Sequence, residues 1–151
     1  MKKRKTKKRK KRTDTKVYQN KQIKKIRNRC LKLWKECVKL RAHNKCEAPL
    51  CPVTKKLNAA HIEDYNTHRF LRYDLNNGLC LCPFHHKWGA DSAHNSFLFM
   101  QKMCHLFVAR FVSLKIVADF TKKTTVKQDL KYFKRIEQRL LRYKQKYQDQ
   151  E

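Results

Sequence analysis

The sequence predicts an α+β domain in which short strands, turns and metal ligands lie between two helical, basic flanks. Three observations predict it: the distribution of charge, the recurrence of apolar positions at helical spacing, and the concentration of histidine, cysteine, proline and glycine in the middle. The chain has 151 residues, 40% of them hydrophobic, and a formal charge of +27. That is enough for one modest core. Residues 1–45 carry 21 Lys/Arg against two acids, residues 46–95 five against five, and residues 96–151 thirteen against five. A neutral centre between cationic ends suits a protein whose chemistry is central and whose flanks hold a polyanion, since each phosphate-neutralising cation releases condensed counterions.

The first segment, 1–16, opens on "MKKRKTKKRKKR", ten basic residues with no apolar partner, and is expected as a disordered tail when unbound. It reads as a nucleic-acid tether, a nuclear address, or both. No apolar run follows the basic start and none approaches a membrane span, so an intracellular, non-secreted protein without membrane insertion is expected. Cysteines in a reducing compartment then read as metal ligands or core thiols before disulfides.

Residues 17–45 read as a basic amphipathic helix. Ile23, Ile26, Cys30, Leu33, Trp34, Cys37 and Leu40 recur at three and four, and the opposite face is largely Lys and Arg. Cys30 and Cys37 fall on that packing stripe. Residues 46–104 form the chemical centre, with five of the seven histidines, all three prolines and both glycines. Residues 105–151 are a helical extension. "TTVKQDLKYFKRIEQRLLRYKQK" follows a Thr cap with Leu130, Phe133, Glu137, Leu140 and Leu141 on one side, and Lys127, Lys131, Arg135 and Arg142 on the other. Residues 96–114, rich in apolar side chains, are also expected to be helical. No internal repeat and no dividing linker are present.

In the centre, "CEAPLC" places Cys46 and Cys51 five apart across a bend favoured by Pro49. "LCLCPFHHKW" offers Cys80, Cys82, His85 and His86. Cys82 and His85 form a pair with two residues between them, which a strand-to-helix turn can aim at one ion. Cys46, Cys51, Cys82 and His85 are therefore the expected structural zinc ligands, with Cys80 the alternative for one position, since four such ligands fit tetrahedral zinc. Adjacent residues on a helix point about 100° apart, so His86 faces elsewhere. "DLNNGLCLC" has Asn76, Asn77 and Gly78 leading into an apolar strand, the second arm of a hairpin whose first arm, Leu57 to Ile62, carries His61.

"NAAHI" at Asn58 to Ile62, "DLNNGLCLC" at Asp74 to Cys82 and "HHKW" at His85 to Trp88 together resemble the HNH nuclease motif, a strand-strand-helix (ββα-metal) fold. "LWKECVKLRAHNKCEAPLC" upstream and "SAHNSFLFMQ" downstream resemble a subset common in phage and mobile-element genes, in which a basic helix leads into the first zinc-ligand pair. The resemblance covers about Leu33 to Met103. It implies a metal-dependent DNA endonuclease: His61 the general base that activates water, Asn77 the residue that fixes the hairpin and the imidazole, and His86 a ligand of a divalent ion such as Mg2+ at the scissile phosphate. It also implies a location in the bacterial cytoplasm or nucleoid if the gene is phage-borne.

Members of that family usually carry Asp or His directly before the base, as a second metal ligand; here the position is Ala60. Either His61 itself would then ligate, or the ion would be held by His86 with His94 or Asp91, water and phosphate. Ala60 also favours the alternative, a catalytically inactive zinc-stapled nucleic-acid-binding protein. Trp88 reads as a core or lid contact, His43 and His68 as phosphate contacts at most, and His105 as a core or surface residue. DNA is the expected partner, held through its phosphates by Lys2, Lys3, Arg4, Lys7, Lys8 and Arg9 of the tail, Lys24 and Arg27 of the first helix, and Lys131 and Arg135 of the last.

Overall fold

The computed structural model describes residues 2–86, 108–121 and 127–150, with side chains from Thr15 onward. Its elements are α1 (Lys2–Arg41), β1 (Asn58–His61), a 3-10 turn (Arg69–Tyr73), β2 (Gly78–Leu81), a one-turn helix α2 (Pro83–His85), α3 (Val108–Thr121) and α4 (Leu130–Gln148). Mixed helix and sheet agrees with the α+β expectation. Among the described residues no helix is long and apolar enough to cross a membrane.

The basic segment expected as a tail is part of α1, a single 40-residue helix. Neither Gly nor Pro interrupts residues 2–41, and Lys and Arg are good helix formers, so nothing local stops the helix before Arg41. It ends in a Schellman arrangement: the Asn44 N–H donates to the Lys39 carbonyl at 2.9 Å and the His43 N–H to that of Leu40 at 2.8 Å. His43 stands where glycine is usual, with φ 48°. It is a helix cap.

The buried stripe of α1 is Ile26, Cys30, Trp34, Cys37 and Val38. It packs on α4, and the two helices run parallel in a seven-residue repeat. The Cys30 thiol donates to the Phe133 carbonyl at 3.4 Å and the Cys37 thiol to that of Leu140 at 3.3 Å. Arg29 pairs with Glu137 at 2.7 Å and Lys144 with Glu36 at 2.9 Å. Seven residues of advance on one helix matched by seven on the other is the register of a coiled-coil seam. Burial pushes both thiols up to about 11, so they stay protonated donors at neutral pH. Phe133, Ile136 and Leu140 are the buried face of α4, whereas Leu130 and Leu141 are exposed. The cap of α4 is Asp129 rather than a threonine, its carboxylate accepting from the Tyr132 N–H at 2.8 Å. The expected helix over 96–114 is described only from Val108, and α3 buries Leu114 and Ala118.

The antiparallel hairpin rests against the C-terminal half of α1. Its register pairs Asn58 with Leu81, Ala59 with Cys80, Ala60 with Leu79 and His61 with Gly78. Gly78 is where the helix comes closest: a Cβ there would sit 2.4 Å from Cγ2 of Val38 and 3.0 Å from the Trp34 ring. Glycine is required by that approach. Residues 62–77 join the strands, with Asn77 wholly buried at the end of the connection. Its Oδ1 accepts from the Glu63 N–H at 2.7 Å, and its Nδ2 donates to the carbonyls of Glu63 and Leu71 at 3.1 and 3.2 Å. One side chain thus ties both ends of the loop to the strand.

Glu47 ties the preceding loop to the same hairpin. Its N–H donates to the Cys80 carbonyl at 2.8 Å, and its carboxylate accepts from the Cys80 N–H at 2.6 Å, from Arg41 at 3.0 Å and from Arg110 at 3.1 Å. Arg41 also donates to the carbonyls of Gly78 and Leu75. Two guanidinium groups on one carboxylate, each bonded onward to the backbone of residues 75–78, link α1, α3 and the hairpin turn.

Candidate functional site

Two sites diverge from the short turn after β2. Pro83 opens α2 at a position where a missing N–H costs nothing, and the two histidines that follow go to different places.

The first site is a cluster of Cys46, Cys51, Cys82 and His85, whose ligand atoms all lie within 4.8 Å of one another. Cys82 Sγ is 3.2 Å from His85 Nδ1, Cys46 Sγ is 3.6 Å from the same nitrogen, and the Cys51 and Cys82 sulfurs are 4.0 Å apart. Two sulfurs each bonded at about 2.3 Å to one tetrahedral ion lie about 3.8 Å apart, so the quartet fits a metal ion. The chain brings them together with two turns. A turn over residues 48–51, with the Cys51 N–H donating to the Ala48 carbonyl at 3.2 Å, has Pro49 second and Leu50 third with φ 57°; these are the φ signs of a type II turn. The other is the N-terminus of α2, where burial would push the Cys82 thiol up but hydrogen bonds, first from the backbone of His85 and then from Cys46 and Cys51, hold it below its ordinary value. The Cys46 thiol is pushed up to about 12 by burial. Cys80 is not in the set. It is wholly buried in the core, and burial raises its thiol to about 11.

The second site is a cleft of about 470 Å³ lined by both His61 and His86, together with Trp34, Arg27, Lys35, Asp64, Tyr65 and Arg72. His61 ends β1. Its ring stacks on the indole of Trp34, centroids 3.9 Å apart and planes 6° from parallel, and Tyr65 packs on it tilted by 48°, centroids 4.8 Å apart. Trp34 is itself anchored, its Nε1 donating to the Asp74 carbonyl at 2.9 Å. His61 Nε2 lies 2.9 Å from the Arg72 carbonyl oxygen, which only accepts. Nε2 therefore carries the proton, and the neutral ring keeps its lone pair on Nδ1. Burial, reinforced by the charges of Arg72 and Lys35, lowers the imidazole to about 4 against the pull of the Arg72 carbonyl. The ring is neutral at pH 7, fixed in plane and fixed in tautomer. A ring so held can accept a proton through Nδ1.

Asn77 holds the loop that carries the Arg72 carbonyl, through its bond to the neighbouring Leu71 carbonyl, and so acts on His61 at one remove. Ala60 lies in the cleft wall, buried, with no side-chain atom to ligate a cation. His68 is half-buried, 3.8 Å from Glu63. Of the residues expected at phosphates, Lys24, Arg27, Lys131 and Arg135 are exposed, and Arg27 is at the cleft. The side chains of Lys2, Lys3, Arg4, Lys7, Lys8 and Arg9, and all of Trp88, Asp91, His94 and His105, lie outside what is described. Sequence reading missed Trp34, Tyr65 and Arg72 as neighbours of His61. Trp34 has the same spacing as any core residue of its helix, and only the aromatic and basic content of the strand connection hinted at the other two.

No protein-family model, curated protein or solved structure matches this chain.

Proposed function

We propose that the protein is a metal-dependent endonuclease of the HNH type that hydrolyses DNA phosphodiester bonds, with a structural zinc at the Cys46, Cys51, Cys82 and His85 quartet. The observation that carries this reading is the state of His61: a neutral imidazole whose Nε2 proton is committed to the Arg72 carbonyl, in a cleft it shares with His86. In the reaction, Nδ1 of His61 takes the proton of a water whose oxygen attacks phosphorus, and the bond to the 3′ oxygen breaks as that oxygen takes a proton from solvent to leave as a 3′-hydroxyl. A divalent ion on His86 would supply charge stabilisation at the phosphate and leaving oxygen. Asn77 is a positioning residue. The basic faces of α1 and α4 provide salt-sensitive, sequence-independent hold on the duplex.

Zinc is the metal that best fits three thiolates and one imidazole, and a small domain gains folding free energy when such a site closes. Ala60 supports a second reading, a zinc-stapled DNA-binding protein without catalysis. Plasmid nicking separates the two. The enzyme nicks with added Mg2+ or Mn2+, stops without it, and stops in His61→Ala and His86→Ala, both of which keep the zinc. Intact DNA binding with no nicking under any divalent metal sinks the enzyme and leaves the binder.

A further inference from the structure

The wall of the cleft around His61 is cationic. Arg27 and Lys35 stand eight residues apart on α1, two turns or about 12 Å along the axis, and Arg72 comes from the 3-10 turn opposite. Asp64 is the one carboxylate among the described lining residues, and its oxygens accept from the N–H groups of Asn66 and Thr67 and from the Thr67 hydroxyl at 3.2, 3.1 and 2.8 Å. The Arg72 guanidinium carbon lies 4.5 Å from the Tyr65 ring centroid. Trp34, His61, Tyr65 and Arg72 are therefore linked by successive ring contacts from the helix to the guanidinium. A cation packed on an aromatic face is held in place before any ligand arrives, and a guanidinium presents paired donors that match a phosphate's oxygens.

We propose that Arg27, Lys35 and Arg72 form the subsite for the phosphodiester group itself, holding its non-bridging oxygens beside Nδ1 of His61. Ala60 offers no side-chain ligand to a cation in the cleft, and fixed cations would add to the charge neutralisation that an ion on His86 supplies. Arg72 has two functions in one residue: its carbonyl sets the tautomer of His61, and its guanidinium sets the phosphate. The proposal takes the role of His61 from the hydrolytic reading, but binding itself does not depend on that reading.

The probe is the dinucleotide TpT, one phosphodiester between two thymidines, titrated into zinc-loaded protein without Mg2+ while the His61 imidazole resonances are followed. Saturable shifts are expected with TpT and none with thymidine. Arg72→Gln, Arg27→Gln and Lys35→Gln should each weaken TpT at least fivefold. Arg72→Lys should fall in between, and Lys115→Gln, exposed on α3, should bind as the wild type does. His61 resonances before titration report whether each variant keeps the ring in place; Lys35→Gln, a change at an exposed position, serves if Arg72→Gln does not. Absence of a TpT effect at His61, or wild-type affinity in Lys35→Gln and Arg27→Gln, overturns the subsite even if plasmids are nicked. Binding as described with no nicking keeps the subsite and overturns the hydrolytic reading.

Discussion

His85 and His86 are neighbours in sequence with opposite surroundings. His85 turns toward three sulfurs that come from two loops, and His86 toward a cleft whose far wall is the first helix. The quartet is assembled almost wholly from residues 46–85, while the cleft needs Trp34 and Lys35 of α1 and the loop that ends at Asn77. The first can be damaged without touching the chemistry of His61 directly. The second depends on how closely helix and hairpin approach. The Cys/His quartet is therefore a local assembly, and the cleft is a product of tertiary packing.

The largest effect separating the two should come from the metal. With zinc at the quartet as proposed, Cys82→Ser or chelation is expected to abolish stoichiometric metal binding and to lower the unfolding midpoint by the largest margin of any change here, since closing such a site contributes folding free energy. His86→Ala should leave one zinc per chain by metal analysis. Loss of zinc in His86→Ala would merge the two sites and break the contrast.

Next in size is the pH response of the cleft. The folded state holds His61 neutral down to about 4, whereas the unfolded chain protonates it near 6.5. Unfolding takes up a proton between those values, so stability from this residue is present above about 6.5 and is lost as pH falls toward 4, by at most about 3 kcal/mol. Denaturant titration of the wild type against His61→Gln isolates it, because protonation of the cluster ligands is common to both proteins. A difference that stays flat from pH 7 to 4 contradicts the burial assigned to the ring.

Gly78→Ala probes the approach of helix to hairpin. The added methyl meets Val38 and Trp34, and overpacking of this kind costs about 1–3 kcal/mol. The expected outcome is a lower urea midpoint with displaced His61 resonances and unchanged zinc content. Wild-type stability would mean that α1 does not rest on β2 as described.

The quartet was legible in the sequence because soft ligands are few and their spacings suit turns: Pro49 marks one bend and Pro83 the start of the other. Both arms of the hairpin were legible too, from the short apolar run after Asn77-Gly78. The cleft was not. That Trp34 stacks on His61 is a relation between residues 27 apart on different elements, and the periodicity of α1 says only that Trp34 is inward. Likewise the parallel seam of α1 and α4 is set by which helix meets which. Nothing in either helix alone names its partner, and the inward set on α4 came out as Ile136 where Leu141 had been expected. Glu47 shows the same limit: Arg41 lies only six residues before it, but Arg110 comes from a helix 63 residues away.

The smallest expected effect lies at that seam. Cys30→Ala and Cys37→Ala each remove a thiol-to-carbonyl bond and a sulfur's worth of packing, at about 1 kcal/mol apiece. Thermal unfolding should show nearly additive losses, since each thiol meets a different carbonyl. Neither change should alter zinc content or the His61 resonances.

The proposed chemistry requires the His61 imidazole to be neutral and protonated on Nε2. Nitrogen-15 correlation spectra of the metal-loaded protein across pH 3 to 8 read both in one titration. The expected result is an Nε2–H tautomer through neutral pH with a midpoint near 4. A proton on Nδ1, or a midpoint near that of a free histidine, would contradict it.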